Sequence, residues 1–243
     1  MSVSDTRTKT LVLDLDKCLI TSFFNNKDED GDMLDSSIAT SKIVSDLKNQ
    51  DLRNRFYRIK LKKEEFCGAR REGLDAFLSF AFTYFKYVIV WSAGDREYVH
   101  AIVNEIFRGH HKPHYVFTRD DLVYAEDEDY HKPLSVIEAK YPGIAPPTKT
   151  IFIDDREDNF RENPGNGFTI PQCNIYTQDD SIVTKKDTAL HSLMHWLNRK
   201  EVVSARDVTK LDKKNVFTYT STSPLQHTPS HVMFYAPITH TAK

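Results

Sequence analysis

Residues 11–20 read Leu-Val-Leu-Asp-Leu-Asp-Lys-Cys-Leu-Ile, an apolar run that ends in two aspartates one residue apart. An ionised carboxylate in apolar surroundings costs several kcal/mol or neutralises, so a buried strand gains nothing from two of them at its carboxyl end. Strand side chains alternate with a period of two, which puts Asp14 and Asp16 on the same side. Thr150-Ile-Phe-Ile-Asp-Asp155 repeats the pattern of an apolar strand closing on paired acids. Side by side, two such strand ends make a cluster of up to four carboxylates. At an effective dielectric near 20, like charges about 4 Å apart repel by roughly 4 kcal/mol per pair. The cluster therefore requires a divalent cation, a lysine or a retained proton, and it points to a Mg²⁺ site at the carboxyl edge of a parallel sheet.

The rest of the chain narrows the setting. At 243 residues, one α/β domain is the economical reading, over residues 1–215, with a polar insertion at about 22–55 and a Ser/Thr/Pro-rich tail over 216–243. A net charge of −2 excludes a strongly basic surface that grips nucleic acid directly. Cys18, Cys67 and Cys173 are odd in number and far apart, which argues for a reducing compartment and against a disulfide framework or zinc site. No apolar stretch has the roughly 20 residues needed to span a bilayer. Met1–Arg7 lacks the apolar core of a signal peptide. The expectation is an intracellular protein, nuclear or cytoplasmic, that does not engage a membrane.

Strand-like runs recur at Thr10–Leu15, Phe56–Leu61, Tyr87–Trp91, His114–Thr118 and Thr150–Ile153. Helical stripes lie between most of them: Leu74, Phe77, Leu78, Ala81 and Phe85; Tyr98, Ile102 and Ile106 after Asp95, a good N-cap; and Leu190, Leu193, Met194 and Leu197. Pro133 suits the first turn of a further helix over Leu134–Lys140, which Pro142-Gly143 ends. Strands alternating with helices predict a Rossmann-like, doubly wound parallel sheet, whose ligands sit beyond the strands' carboxyl ends.

Four segments resemble, in order, the motifs of haloacid-dehalogenase-type phosphatases. Asp14-Leu-Asp16-Lys-Cys-Leu-Ile is similar to their D-x-D-x-[TV]-L-[VI]. Val88-Ile-Val-Trp-Ser92-Ala-Gly is similar to the strand ending in Ser or Thr, His131-Lys132-Pro-Leu-Ser to the third-motif lysine, and Ile151-Phe-Ile-Asp154-Asp155-Arg-Glu-Asp to the fourth motif. Arg71-Glu-Gly-Leu-Asp-Ala-Phe-Leu and Phe117-Thr-Arg119-Asp120 resemble the R-P-G-x-x-E-F-L and F-x-R-D/E segments of one branch. That branch is the phosphatases acting on the C-terminal domain of RNA polymerase II, including the small C-terminal-domain phosphatases related to the NLI-interacting factor. The resemblance runs over about residues 8–200 and implies the corresponding fold without a large cap domain. Departures occur at Cys18, where Thr or Val is usual, and at Pro133, where Asp is usual in one branch.

The resemblance implies a division of labour. Asp14 would be the nucleophile and form an aspartyl-phosphate, and Asp16 the acid for the leaving group and the base for the hydrolytic water. Mg²⁺ would be held by Asp14 and Asp155 side chains and the Asp16 carbonyl, with Asp154 next to the ion or bonded to its water. Lys132 and the Ser92 hydroxyl would bind the phosphoryl group. Arg119 stands between a substrate contact and a structural ion pair. The implied substrate is a phosphorylated protein or peptide, with the polymerase tail as the leading example.

Other signals are weaker. Asp28-Glu-Asp-Gly-Asp32 has its glycine misplaced for a calcium loop, and His191 and His195 lack a third ligand. Glu126-Asp-Glu-Asp129 reads as a solvated loop that would disfavour acidic peptides if it borders the site. Tyr219-Thr-Ser-Thr-Ser-Pro-Leu225 resembles the polymerase heptad, a match that low-complexity tails produce easily. Two other functions compete: hydrolysis of a small phosphorylated metabolite or nucleic-acid 3′-phosphate, with residues 22–55 as a lid, and a catalytically silent interaction module. Retention of both Asp14 and Asp16 argues against the silent module.

Overall fold

The computed structural model describes residues 7–24, 50–61, 65–124, 129–173, 175–178, 181–184 and 186–217. Its centre is a five-stranded parallel sheet in the order β10 (Gly167–Thr169), β9 (Thr150–Asp154), β1 (Thr10–Leu13), β5 (Tyr87–Trp91), β6 (Tyr115–Phe117). β1 is buried along its whole length. Leu11 and Leu13 face one layer, with helices α2 (Leu74–Tyr84), α3 (Arg96–Ile106) and α5 (Ala189–Leu197). Val12 faces the other, with α4 (Leu134–Lys140) and Trp91. Apolar side chains on both faces are what a doubly wound sheet requires, and each fully buried Leu, Ile or Val contributes roughly 1.5–3 kcal/mol. The α/β architecture is the expected one.

Asp95 does cap α3, its carboxylate accepting the Tyr98 N–H at 2.9 Å. The run at Phe56–Leu61 departs from expectation. It forms β3 (Phe56–Lys60), which leaves the central sheet and pairs antiparallel with β4 (Glu65–Arg70). β2 (Ile20–Phe24) flanks β4 on the other side, completing a separate three-stranded sheet. The cause is visible in β3 itself: Tyr57 is buried and its neighbour Arg58 exposed, the alternation of a sheet with one dry face. The fifth central strand is instead β10, whose three residues carry too little periodicity to be read.

The polar insertion also begins later than expected, because residues 22–24 complete β2; residues 50–55 form the short helix α1 (Gln50–Arg55). Residues 25–49, the acidic 125–128 and the heptad-like stretch at 219–225 lie outside the described residues. Two short hairpins complete the strands, β7 (Val123–Tyr124) with β8 (Tyr130–His131) and β11 (Ile175–Gln178) with β12 (Ser181–Thr184). After α6 (Lys200–Val203) the chain returns to the core, where Val216 is buried and Phe217 packs beside it.

Candidate active site

Register brings the two acidic strand ends together. Leu13 pairs with Ile153 across β1 and β9, and the Asp14 N–H continues the ladder to the Ile153 carbonyl at 2.9 Å. Asp14 and Asp154 therefore leave adjacent strands at the same level. Lys132, two residues before α4, enters between them: its ammonium donates to Asp14 Oδ1 at 2.6 Å and to Asp154 Oδ2 at 2.7 Å. Lys132 and Asp154 are at most 2% exposed, so these charges meet with almost no water. Burial works against the Lys132 charge, yet the two carboxylates overcome it and hold the ammonium above the ordinary lysine range. Burial pushes the Asp14 carboxyl well up, against the pull of Lys132 and with added repulsion from Asp154.

Asp155 joins them. Asp14, Asp154 and Asp155 each offer a carboxylate oxygen within 4.8 Å of the others. An all-oxygen, anionic donor set matches the preference of Mg²⁺, and one lysine does not balance three carboxylates. The residues present fit such an ion. Burial raises the Asp155 carboxyl and Asp154 repels it, while its Oδ2 accepts from Gln172 at 2.8 Å.

Asp16 sits apart from this trio. After Asp16 the chain turns sharply, with Lys17 at φ 59° and the Leu15 carbonyl accepting from the N–H groups of Cys18, Leu19 and Ile20. A non-glycine residue in that conformation costs about 1–2 kcal/mol, so the turn is held by its surroundings. Asp16 Oδ1 accepts from the Tyr98 hydroxyl at 2.5 Å. Burial raises the Asp16 carboxyl, and the hydroxyls of Tyr98 and Ser22 partly offset it.

Ser92 directly follows β5, the other neighbour of β1, and is buried. Its oxygen accepts from the Gly94 N–H at 3.1 Å, so its own O–H remains a donor. Arg119 is exposed, and its Nε donates to the Ala93 carbonyl in the same turn at 3.1 Å. The structural alternative envisaged for Arg119 was an ion pair; the contact is instead with backbone.

Several supporting residues escaped the sequence reading. Asn159 donates to Asp154 at 2.9 Å. Arg71, quoted only within a motif, is buried and donates to the carbonyls of Cys18 and Pro171 and to Asp187, tying the Asp16 turn to the segment after β10. His131 lies between Glu162 and Arg161, at 2.6 Å from each, and fixes the strand that presents Lys132. Pro133 brings no capping oxygen to α4; Asn163 supplies one from outside, accepting the Leu134 N–H at 3.0 Å. His191 and His195 are half-buried helix residues on α5, their rings 4.8 Å apart and tilted by 56°.

A sequence profile of the NLI interacting factor-like phosphatase family matches residues 9–209. Among solved structures, the fission yeast RNA polymerase II CTD phosphatase Fcp1 bound to beryllium fluoride superposes with a TM-score of 0.51 at 15% identity. That match covers 77% of this chain and 49% of the other. A second structure, of Fcp1 described as an essential RNA polymerase II CTD phosphatase, gives a TM-score of 0.52 at 15% identity, covering 79% and 50%. The chain thus spans about half the length of these structures, and at that identity they show a shared fold. No curated protein sequence matches the chain. Among the described residues no helix is long and apolar enough to cross a membrane.

Proposed function

The chain belongs to the NLI interacting factor-like phosphatase family, and from that premise we propose a Mg²⁺-dependent hydrolase of phosphoserine and phosphothreonine in proteins. The substrate class we favour is a phosphorylated, repeated peptide such as the polymerase tail, because the two solved structures described above are of a polymerase-tail phosphatase. We place the enzyme in the nucleus or cytoplasm and the catalytic unit within residues 1–215. The observation that carries the reading is the buried Lys132 ammonium held at 2.6 and 2.7 Å between Asp14 and Asp154. A cation sealed among excess carboxylates at a sheet edge is costly for a scaffold and useful to an enzyme that handles a phosphate dianion.

Phosphate monoesters resist hydrolysis because anions repel the nucleophile and the alkoxide leaves poorly. In the proposed reaction an Asp14 carboxylate oxygen attacks phosphorus, and the ester P–O bond breaks as Asp16 gives its proton to the departing oxygen. Water then attacks the aspartyl-phosphate, Asp16 takes its proton, and phosphate leaves with Asp14 restored. Lys132, the Ser92 O–H and the N–H groups of the turn into α3 stabilise the equatorial oxygens. Arg119, anchored by its Nε, contacts the substrate with its remaining N–H groups. Asp14, Asp155 and the Asp16 carbonyl, with Asp154 alongside, would hold Mg²⁺, which would offset carboxylate charge and polarise the phosphoryl oxygens.

Phosphate release from p-nitrophenyl phosphate and a diphosphorylated heptad peptide, with Mg²⁺ and with chelator, tests this. Turnover should require the metal and vanish in Asp14→Asn and Asp16→Asn, both retaining the native circular dichroism. Activity surviving Asp14→Asn removes the nucleophile assignment. A kcat/KM higher for small phosphorylated metabolites than for the peptide reassigns the substrate.

A further inference from the structure

The small sheet β2–β4–β3 lies outside the catalytic strands, yet one row of residues across it leads to Asp16. Ser22 on β2 and Tyr57 on β3 are both in register with Gly68 on the central strand β4. Gly68 has no side chain to separate them, and the Tyr57 hydroxyl reaches across the strand to Ser22 Oγ at 3.0 Å. Ser22 Oγ lies 2.6 Å from the Tyr98 hydroxyl, which donates to Asp16 Oδ1 at 2.5 Å. We propose that Tyr57 is a positioning residue for Asp16, acting through Ser22 and Tyr98. The proposal rests on the reading of Asp16 as the proton donor and acceptor of the reaction.

Hydrogen counting fixes the direction of this chain. Each hydroxyl has one hydrogen to give. Tyr98 spends its own on the Asp16 carboxylate. The Ser22 hydrogen goes to Tyr98 or to Asp16, which its hydroxyl also faces. In either case the Tyr57 hydrogen points to Ser22, so three O–H dipoles converge on one carboxylate. Burial raises both phenols far above neutrality, so they stay donors. Hydroxyls that polarise one another in a dry setting fix the acceptor more firmly than a single bond does.

Two glycines make the arrangement possible. A Cβ at Gly68 would overlap the Tyr57 phenol oxygen and sit 2.6 Å from the Thr21 carbonyl. A Cβ at Gly94, in the turn after Ser92, would sit 2.6 Å from the Tyr98 ring. Tyr57 and Tyr98 therefore both lie where a larger neighbour would displace them. Tyr98 is buried and its ring also packs on Phe66 of β4 at 5.0 Å, so the small sheet holds it by its ring as well as by its hydroxyl.

The experiment compares Tyr57→Phe, Ser22→Ala and the double variant on the full chain. Tyr57→Phe should lower kcat for a phosphoserine peptide about three- to tenfold, the scale of one hydrogen bond, with KM changed less than about twofold. The nitrophenol burst from p-nitrophenyl phosphate, whose leaving group needs no proton, should keep its rate. Adding Tyr57→Phe to Ser22→Ala should cost nothing further, because every route from Tyr57 to Asp16 passes through the Ser22 hydroxyl. Additive losses, or a peptide kcat unchanged in Tyr57→Phe, overturn the proposal; if that variant does not fold, Ser22→Ala carries the same expectations. Full activity in Asp16→Asn would instead bring down the underlying assignment of Asp16, so the two failures are distinguishable.

Discussion

The two acidic pairs that end β1 and β9 look alike in sequence and are held in opposite ways. The inner members, Asp14 and Asp154, share one buried ammonium and are tied by charge. The outer members, Asp16 and Asp155, are bound by neutral donors, the Tyr98 hydroxyl and the Gln172 amide. Charge-assisted bonds hold a carboxylate in one ionised state, whereas a hydroxyl or amide orients it without committing its charge. The inner pair is thus tied in place by one shared cation. The outer pair is oriented without being tied to a charge, which suits the proton transfer and metal binding proposed for it.

Removing Lys132 should break this contrast most severely. Lys132→Met leaves two buried carboxylates facing each other, and losing one partner of a buried ion pair costs about 3–5 kcal/mol. Urea unfolding in the presence of chelator should show a loss of that size together with loss of turnover. Asp14→Asn should abolish turnover with no such loss, since it leaves Lys132 paired one-to-one with Asp154 and removes a carboxyl that burial already disfavours. Instability of Asp14→Asn equal to that of Lys132→Met would mean that the inner pair is a packing unit rather than a charge balance.

The outer pair should respond mildly. Gln172→Ala frees Asp155 from one neutral donor and leaves its place beside Asp14 and Asp154 intact. The Mg²⁺ concentration giving half-maximal activity should move by about threefold or less, the scale of one exposed hydrogen bond. A tenfold or larger shift would place Gln172 among the residues that build the metal site.

What the sequence disclosed follows the same division. Asp14, Asp16, Asp154 and Asp155 were legible because charged residues at the ends of apolar runs have no structural excuse, and Lys132 because its segment resembles the third phosphatase motif. Their partners were not. Tyr98 read only as part of an apolar stripe on α3, and its hydroxyl acquires meaning from Asp16, 82 positions away. Gln172, Asn159 and Arg71 are ordinary polar residues until tertiary contact aims them. Phe56–Leu61 was read as a strand, correctly, but the sheet it joins depends on β4, whose Glu65-Phe-Cys-Gly-Ala-Arg70 has a glycine where a strand signal would need bulk.

The departure at Pro133 gives the smallest and most local test. α4 starts after a residue with no capping side chain, and the Leu134 N–H is met by Asn163 from the segment after β9. That contact does the work of an N-cap and also ties the Lys132 strand to the loop that follows Asp154. Asn163→Ala should therefore cost about 1 kcal/mol, the usual value of a cap. For a protein of this length that is a Tm decrease of roughly 2–4 °C. Placing the oxygen on the helix's own N-cap, as Pro133→Asp, should change little in the native background, where Asn163 already fills the role. In the Asn163→Ala background the same substitution should restore most of the lost Tm. Restoration of Tm without restoration of kcat would show that Asn163 matters through its grip on the Lys132 strand, and would extend the charge-held inner region one layer outward.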